Sequence, residues 1–193
     1  KILLDYWAGM VGSDKIIEQL KAMESNGYTL IELAEAVIAY YREGKLPPGS
    51  GDAYLVENPY STASNTMRIL AGLGKKMPDV VTAMIHAGIA PRYMINALHS
   101  YWYDRYYWKD PMPGHYDHTS DEFALLNIVT WVYNAVESLP EERLADIDIV
   151  EETAAGLYTI RDTVGAESSK VFEAMMFITG KMTFDLDKKL PQT

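Results

Sequence analysis

Between residues 29 and 44 the apolar positions recur at the spacing of a helix: Leu30, Leu33, Ala34, Val37, Ile38 and Tyr41 share one face of a 3.6-residue turn. Thr29 and Glu32 form the S/T-x-x-E pattern, in which each side chain can satisfy the other's free backbone N–H, and Gly44 ends the run. The same period returns along the chain. After a first apolar set at Ile2, Leu3, Tyr6, Trp7 and Met10, Ser13 can cap a helix with Ile16, Ile17, Leu20 and Met23 inward, closing at Asn26 and Gly27. Helices are predicted over 62–73, 78–87 and 91–109. Another follows Thr119 through Leu125, Val129, Val132 and Val136, and is expected to be the most buried. Two more are predicted from Asp148 to Val164 and along Val171, Phe172, Met175, Ile178 and Met182. No stretch alternates β-branched residues with period two. The fold expected is therefore all-α, one compact domain of about eight to ten helices over residues 1–193, with 183–193 a frayed tail.

The exception is a long irregular loop near residues 45–61, KLPPGSGDAYLVENPYS, with three prolines and two glycines. Loops of this length are uncommon inside a domain. Tyr54, Leu55 and Val56 can anchor it as a surface crossover, and the alternative is a lid over a pocket.

Composition removes several functions. The absence of cysteine excludes disulfides, thiolate metal sites and a cysteine nucleophile. A formal charge of −10 opposes a nucleic-acid partner, since affinity for phosphate backbones rests on Lys and Arg. The acids from Glu137 to Glu152 carry only Arg143 among them and read as a solvated helix surface. No apolar run reaches the eighteen or so residues of a membrane span, and Lys1–Met10 lacks the pattern of a signal peptide. An acidic, soluble, cytoplasmic protein is expected.

One stretch has unusual chemistry. Seven of the aromatic residues crowd into Tyr93–Trp108, and the last turns of that helix carry rings on opposing faces. Met94, Leu98, Tyr101, Arg105 and Trp108 form one face, read as core. Tyr103, Tyr106, Tyr107 and Trp108, with Tyr116 in the next loop, are the candidate partner- or ligand-binding residues, because Tyr and Trp concentrate binding energy. His115, Asp117 and His118 follow and are metal-ligand types. Pro113 and Gly114 break the helix that would align them, while Thr119 and Glu122 repeat the capping pattern, so neither metal nor cofactor is expected.

Catalytic patterns are missing. There is no phosphate loop, nucleophile elbow or H-E-x-x-H, and His86 and His99 sit inside helices, where they read as packed or capping residues. The catalytic residues therefore stay unassigned. The segment MPDVVTAMIHAG, residues 77–88, looks like one in the cytoplasmic modules of type II secretion and pilus inner-membrane platform proteins. The likeness covers a dozen residues, Ile89 stands where that family usually has a glutamate, and no membrane helix accompanies it, so no property is carried over. The function expected is a helical interaction or scaffold module, binding another protein chain, self or partner, through the aromatic helix end and adjoining loop. The alternative is a small-molecule- or metal-binding helical enzyme with a pocket near 103–122 closed by the 45–61 loop.

Overall fold

A computed structural model describes residues 13–42, 59–106, 125–164 and 168–189, with side chains over 16–42, 59–101, 125–161 and 170–180. Among the described residues every regular element is a helix. In order these are α1 (Ser13–Ser25), α2 (Leu30–Arg42), α3 (Pro59–Ala71), α4 (Met77–His86), α5 (Pro91–Tyr106), α6 (Leu125–Glu137), α7 (Glu141–Leu144), α8 (Ile149–Val164) and α9 (Ser168–Lys189).

The helix starts show why these segments fold where they do. At α2 the Thr29 backbone N–H and hydroxyl donate to one Glu32 carboxylate oxygen at 2.7 and 2.8 Å, and the Glu32 N–H donates back to the Thr29 hydroxyl at 3.3 Å. The Thr29 backbone bond, then its hydroxyl bond, holds the Glu32 carboxyl below its ordinary value. Asp148 caps α8 in the same spirit, accepting from the N–H groups of Val150 and Glu151. Helix α4 ends in a Schellman turn. Gly88 adopts φ +94°, its N–H donates to the Ile85 carbonyl, and the Ile89 N–H reaches back to the Met84 carbonyl.

Helix α5 is the axis of the packing. It lies against α3 on one side and α8 on another, with α4 and α6 also in contact, while α9 closes over α6 and α8 and α1 rests on α2 and α3. Met94, Ile95, Ala97 and Leu98 of α5 are fully buried, and His99 with them. Helix α6 buries Leu125, Ile128, Val129, Val132, Tyr133, Ala135 and Val136, as its spacing predicts. Met67, Met84 and Met94 have no exposed surface, so methionine fills the core here as an adaptable packing residue.

The seam between α5 and α8 is a close crossing. At Gly156 a Cβ would stand 3.0 Å from the Cβ of Ile95 and 3.1 Å from the Arg92 carbonyl oxygen, so the two backbones meet where α8 has no side chain. One turn earlier Glu152 accepts from the Arg92 backbone N–H at 3.1 Å and from its Nε at 2.8 Å, with Nη2 on the same carboxylate. A single carboxylate thus satisfies a free amide in the first turn of α5 and fixes the guanidinium beside it.

The described helices differ from the sequence expectations at several points. Helix α3 starts at Pro59, three residues before the predicted boundary, because proline is tolerated in a first turn whose N–H has no intrahelical partner. After Pro140 the chain winds into the short helix α7, which lies between the helices predicted around it. Phe172, placed inward by its spacing, is exposed, and Ala174 and Ile178 carry α9 against the core instead. Helix α9 continues through Gly180 to Lys189. The remaining part of the 45–61 loop and the first apolar set at 2–10 lie outside the described residues.

Two tests follow from the α5–α8 seam. Gly156→Ala should lower stability: overpacking costs about 1–3 kcal/mol, against the gain of up to about 1 kcal/mol that alanine brings to a helix. Gly72→Ala meets chiefly the end of the Ile17 side chain, which can turn away, and should stay within about 0.5 kcal/mol. Denaturant melts that rank the two variants in the opposite order would refute the close crossing. Glu152→Ala strands the Arg92 charge and amide together and should cost about 1.5–3 kcal/mol, toward the lower figure because water reaches the one-third-exposed Arg92 side chain.

Candidate functional sites

Two features of the surface can take a partner. The first is a cleft of about 390 Å³ at the corner between α4 and α5, lined by Arg42, Pro59, Thr62, Gly88, Ile89, Ala90 and Tyr93. Its walls come from the end of α2, the first turn of α3, the Schellman turn and the first turn of α5. The floor is apolar, with Ile89 buried and the Tyr93 ring packed edge-on against Tyr60 at 4.7 Å between centroids.

Two polar groups break that apolar lining. Thr62, in the first turn of α3, is 5% exposed. Arg42 stands exposed at the rim, whereas Arg92 is held by Glu152 and Lys75 by Glu24. The neighbouring Tyr41 phenol is pushed up to about 12, first by burial and then by Tyr40, so it stays neutral at physiological pH.

The opposite wall of the corner is electrostatically closed. Arg143, reaching from α7, donates to the carbonyls of His86 at 2.6 Å and Ile85 at 3.1 Å, covering the negative end of α4. A second hollow of about 320 Å³ lies there, lined by Arg143, Asp146, Ile147 and Glu152 with the same 88–90 corner. Glu152 is committed to Arg92 and Arg143 to the helix end, which leaves that hollow few free groups.

His86 and Ser138 meet at 3.0 Å, a pair that invites a catalytic reading. The Ser138 hydroxyl donates to the Ala135 carbonyl at 2.7 Å. Its single proton is therefore spent, the imidazole N–H must be the donor to Ser138, and the pair ties the end of α4 to the end of α6. Among the described residues no three His, Asp or Glu side chains gather as a metal site, and no helix is long and apolar enough to cross a membrane.

The second feature is the outer face of α9. Phe172 is 66% and Met176 57% exposed, one turn apart, and Gly180 continues the same stripe a turn later, with open space where a Cβ would stand. Glu173 beside them is paired with Lys170 at 3.3 Å. Tyr158 on α8 is also exposed, with the Arg161 guanidinium 4.4 Å above its ring.

Most of the residues singled out by sequence fall elsewhere. Tyr103 and Tyr106 lie on the described backbone of α5 without described side chains, and Tyr107, Trp108, His115, Tyr116, Asp117 and His118 lie outside the described residues. Of the aromatic stretch, Tyr93 lines the cleft and Tyr101 packs partly against the core. Arg42 and Thr62 carried no sequence signal beyond a last-turn cation and a residue near a proline. Comparison of the chain with protein-family models, with curated proteins and with solved structures finds no match, so function is argued from these surfaces alone.

Proposed function

We propose that the chain is a helical interaction module that pairs with a second copy of itself through the outer face of α9. The observation that carries this reading is the stripe Phe172, Met176 and Gly180, which sets two large exposed side chains and a gap at i, i+4 and i+8. Such a stripe is complementary to itself. In an antiparallel pair with its two-fold axis at Met176, Phe172 of one copy faces Gly180 of the other, and the two Met176 side chains meet. Ring meets gap.

Charge favours the same pairing locally. A protein of net charge −10 resists close approach of a second copy, but the acid on this stripe, Glu173, is neutralised by Lys170, and across the axis it faces Thr179 rather than another acid. Exposed apolar side chains one turn apart on a helix also form the ridge that packs into a neighbouring helix's groove. The aromatic helix end expected from sequence, with Tyr103 and Tyr107, remains a further contact surface in this reading.

Sedimentation across a dilution series tests it. The chain should pass from dimer to monomer on dilution. Phe172→Glu and Gly180→Leu should each weaken association by about 2 kcal/mol or more, as hot-spot changes do, while thermal stability moves little because Phe172 is exposed and Gly180 meets nothing. A chain monomeric throughout, or a Gly180→Leu variant that associates as well as the parent, would overturn the pairing.

A further inference from the structure

We propose that Met176 is a redox-sensitive site, at which oxidation of the thioether to the sulfoxide by a hydroperoxide separates the paired copies. The inference rests on the α9 pairing proposed above and adds the chemistry that controls it.

The methionines of this chain are unequally placed. Met67, Met84 and Met94 have no exposed surface and Met77 is 8% exposed, while Met23 and Met175 are half-buried against the core. Met176 is 57% exposed, and among the described methionines it alone stands open to solvent. A dissolved oxidant therefore meets its sulfur before theirs, since the reaction needs direct approach to a sulfur lone pair. In that step the sulfur attacks the outer oxygen of the peroxide, the O–O bond breaks as the S–O bond forms, and the leaving alkoxide or hydroxide takes up the peroxide proton as alcohol or water. The sulfur gives up two electrons, and the peroxide is reduced by the same two.

The position of the sulfur decides the consequence. In the antiparallel pair the two-fold axis passes at Met176, so each thioether meets its own copy and a change in this side chain is felt twice at one point. Two thioethers make a soft apolar contact. Two sulfoxides set acceptor against acceptor, and neither carries a proton to give. The described side chains around the axis supply none either. The Thr179 hydroxyl already donates to the Met175 carbonyl at 2.7 Å, Glu173 is held by Lys170 at 3.3 Å, and Phe172 and Gly180 have no polar side-chain atom. A buried acceptor left unmet opposes burial, whereas the same sulfoxide in the separate chain is met by water. Pairing in turn covers the sulfur. The oxidant therefore consumes the free chain, and mass action draws the pair apart to replace it.

The test treats the full chain with hydrogen peroxide, locates oxidised residues by peptide mass spectrometry, and reads association by sedimentation across one dilution series before and after. Oxidation at Met176 should weaken association at least about ten-fold, as one unmet buried acceptor in each copy requires, and should run faster in dilute than in concentrated samples. Thermal melts at dilutions where the chain is monomeric should not change, because the side chain lies on the surface. Incubation with a methionine sulfoxide reductase should restore association. Met176→Leu, which keeps the volume and the apolar character, should pair like the parent and stay paired in peroxide. An untreated chain that never pairs would overturn both the pairing and this site. A chain that pairs through α9, as shown by its loss in Phe172→Glu, yet keeps its affinity with Met176 oxidised would overturn the redox inference alone. A Met176→Leu variant that dissociates in peroxide as the parent does, an oxidation rate indifferent to dilution, or a melting temperature that falls with oxidation of Met176 would do the same.

Discussion

The fold depends on how closely α8 can approach α5. Gly156 removes the side chain that would hold the two helices apart, and Glu152, one turn away, gives that approach a fixed register by bonding both the amide and the guanidinium of Arg92. The carboxylate acts on two levels at once. It satisfies a backbone donor that water would otherwise have to reach at a helix start, and it pins the residue that directly precedes Tyr93. The position of Tyr93, and hence one wall of the cleft, follows from a contact made on the opposite side of the same turn. Arg143 does the equivalent for the preceding corner by closing the end of α4. Two helix ends meet at residues 86–92, and each is held by a side chain from a later element.

This arrangement explains why charge is informative in so acidic a chain. Surface acids are plentiful and individually say little, but cations are few and several are assigned structural work. Arg92 and Arg143 hold the two helix ends at this corner, so each cation here is read by the backbone or acid it meets. Such contacts say more than the exposure of any single ring, because folded chains leave scattered aromatic surface in the open as a matter of course.

The architecture was legible in the sequence and the surfaces were not, for identifiable reasons. The Thr29 and Glu32 cap was readable because both partners lie within one turn, and the inward face of α6 because seven buried residues share one period. Pro59 read as the last breaker of a loop, although the same residue is at home in a first turn. Phe172 misled because the start of α9 is apolar on two sides. Spacing identifies the stripes Val171, Ala174 and Ile178, and Phe172 and Met176, but not which of them faces inward. The chain buries the first, whose small Ala174 has no exposed surface, and leaves the longer side chains outside. The cleft was invisible for a different reason. Arg42, Thr62, Ile89 and Tyr93 come from four separate segments, and only tertiary packing brings them together.

Cleft and stripe sit on opposite sides of the α5–α8 seam. The cleft is walled by α2, α3 and the first turn of α5, whereas α9 touches α6 and α8. They have no residue in common, so occupancy of one affects the other only through elements that contact both sets of walls. Helix α8 qualifies, since it packs on α5 along the Glu152 and Gly156 contacts and on α9 along its other face; α6 packs on α5 and α9 as well. A rigid seam transmits little unless it has two arrangements to choose between. The close contact at Gly156 and the several bonds at Glu152 favour a single arrangement of that seam.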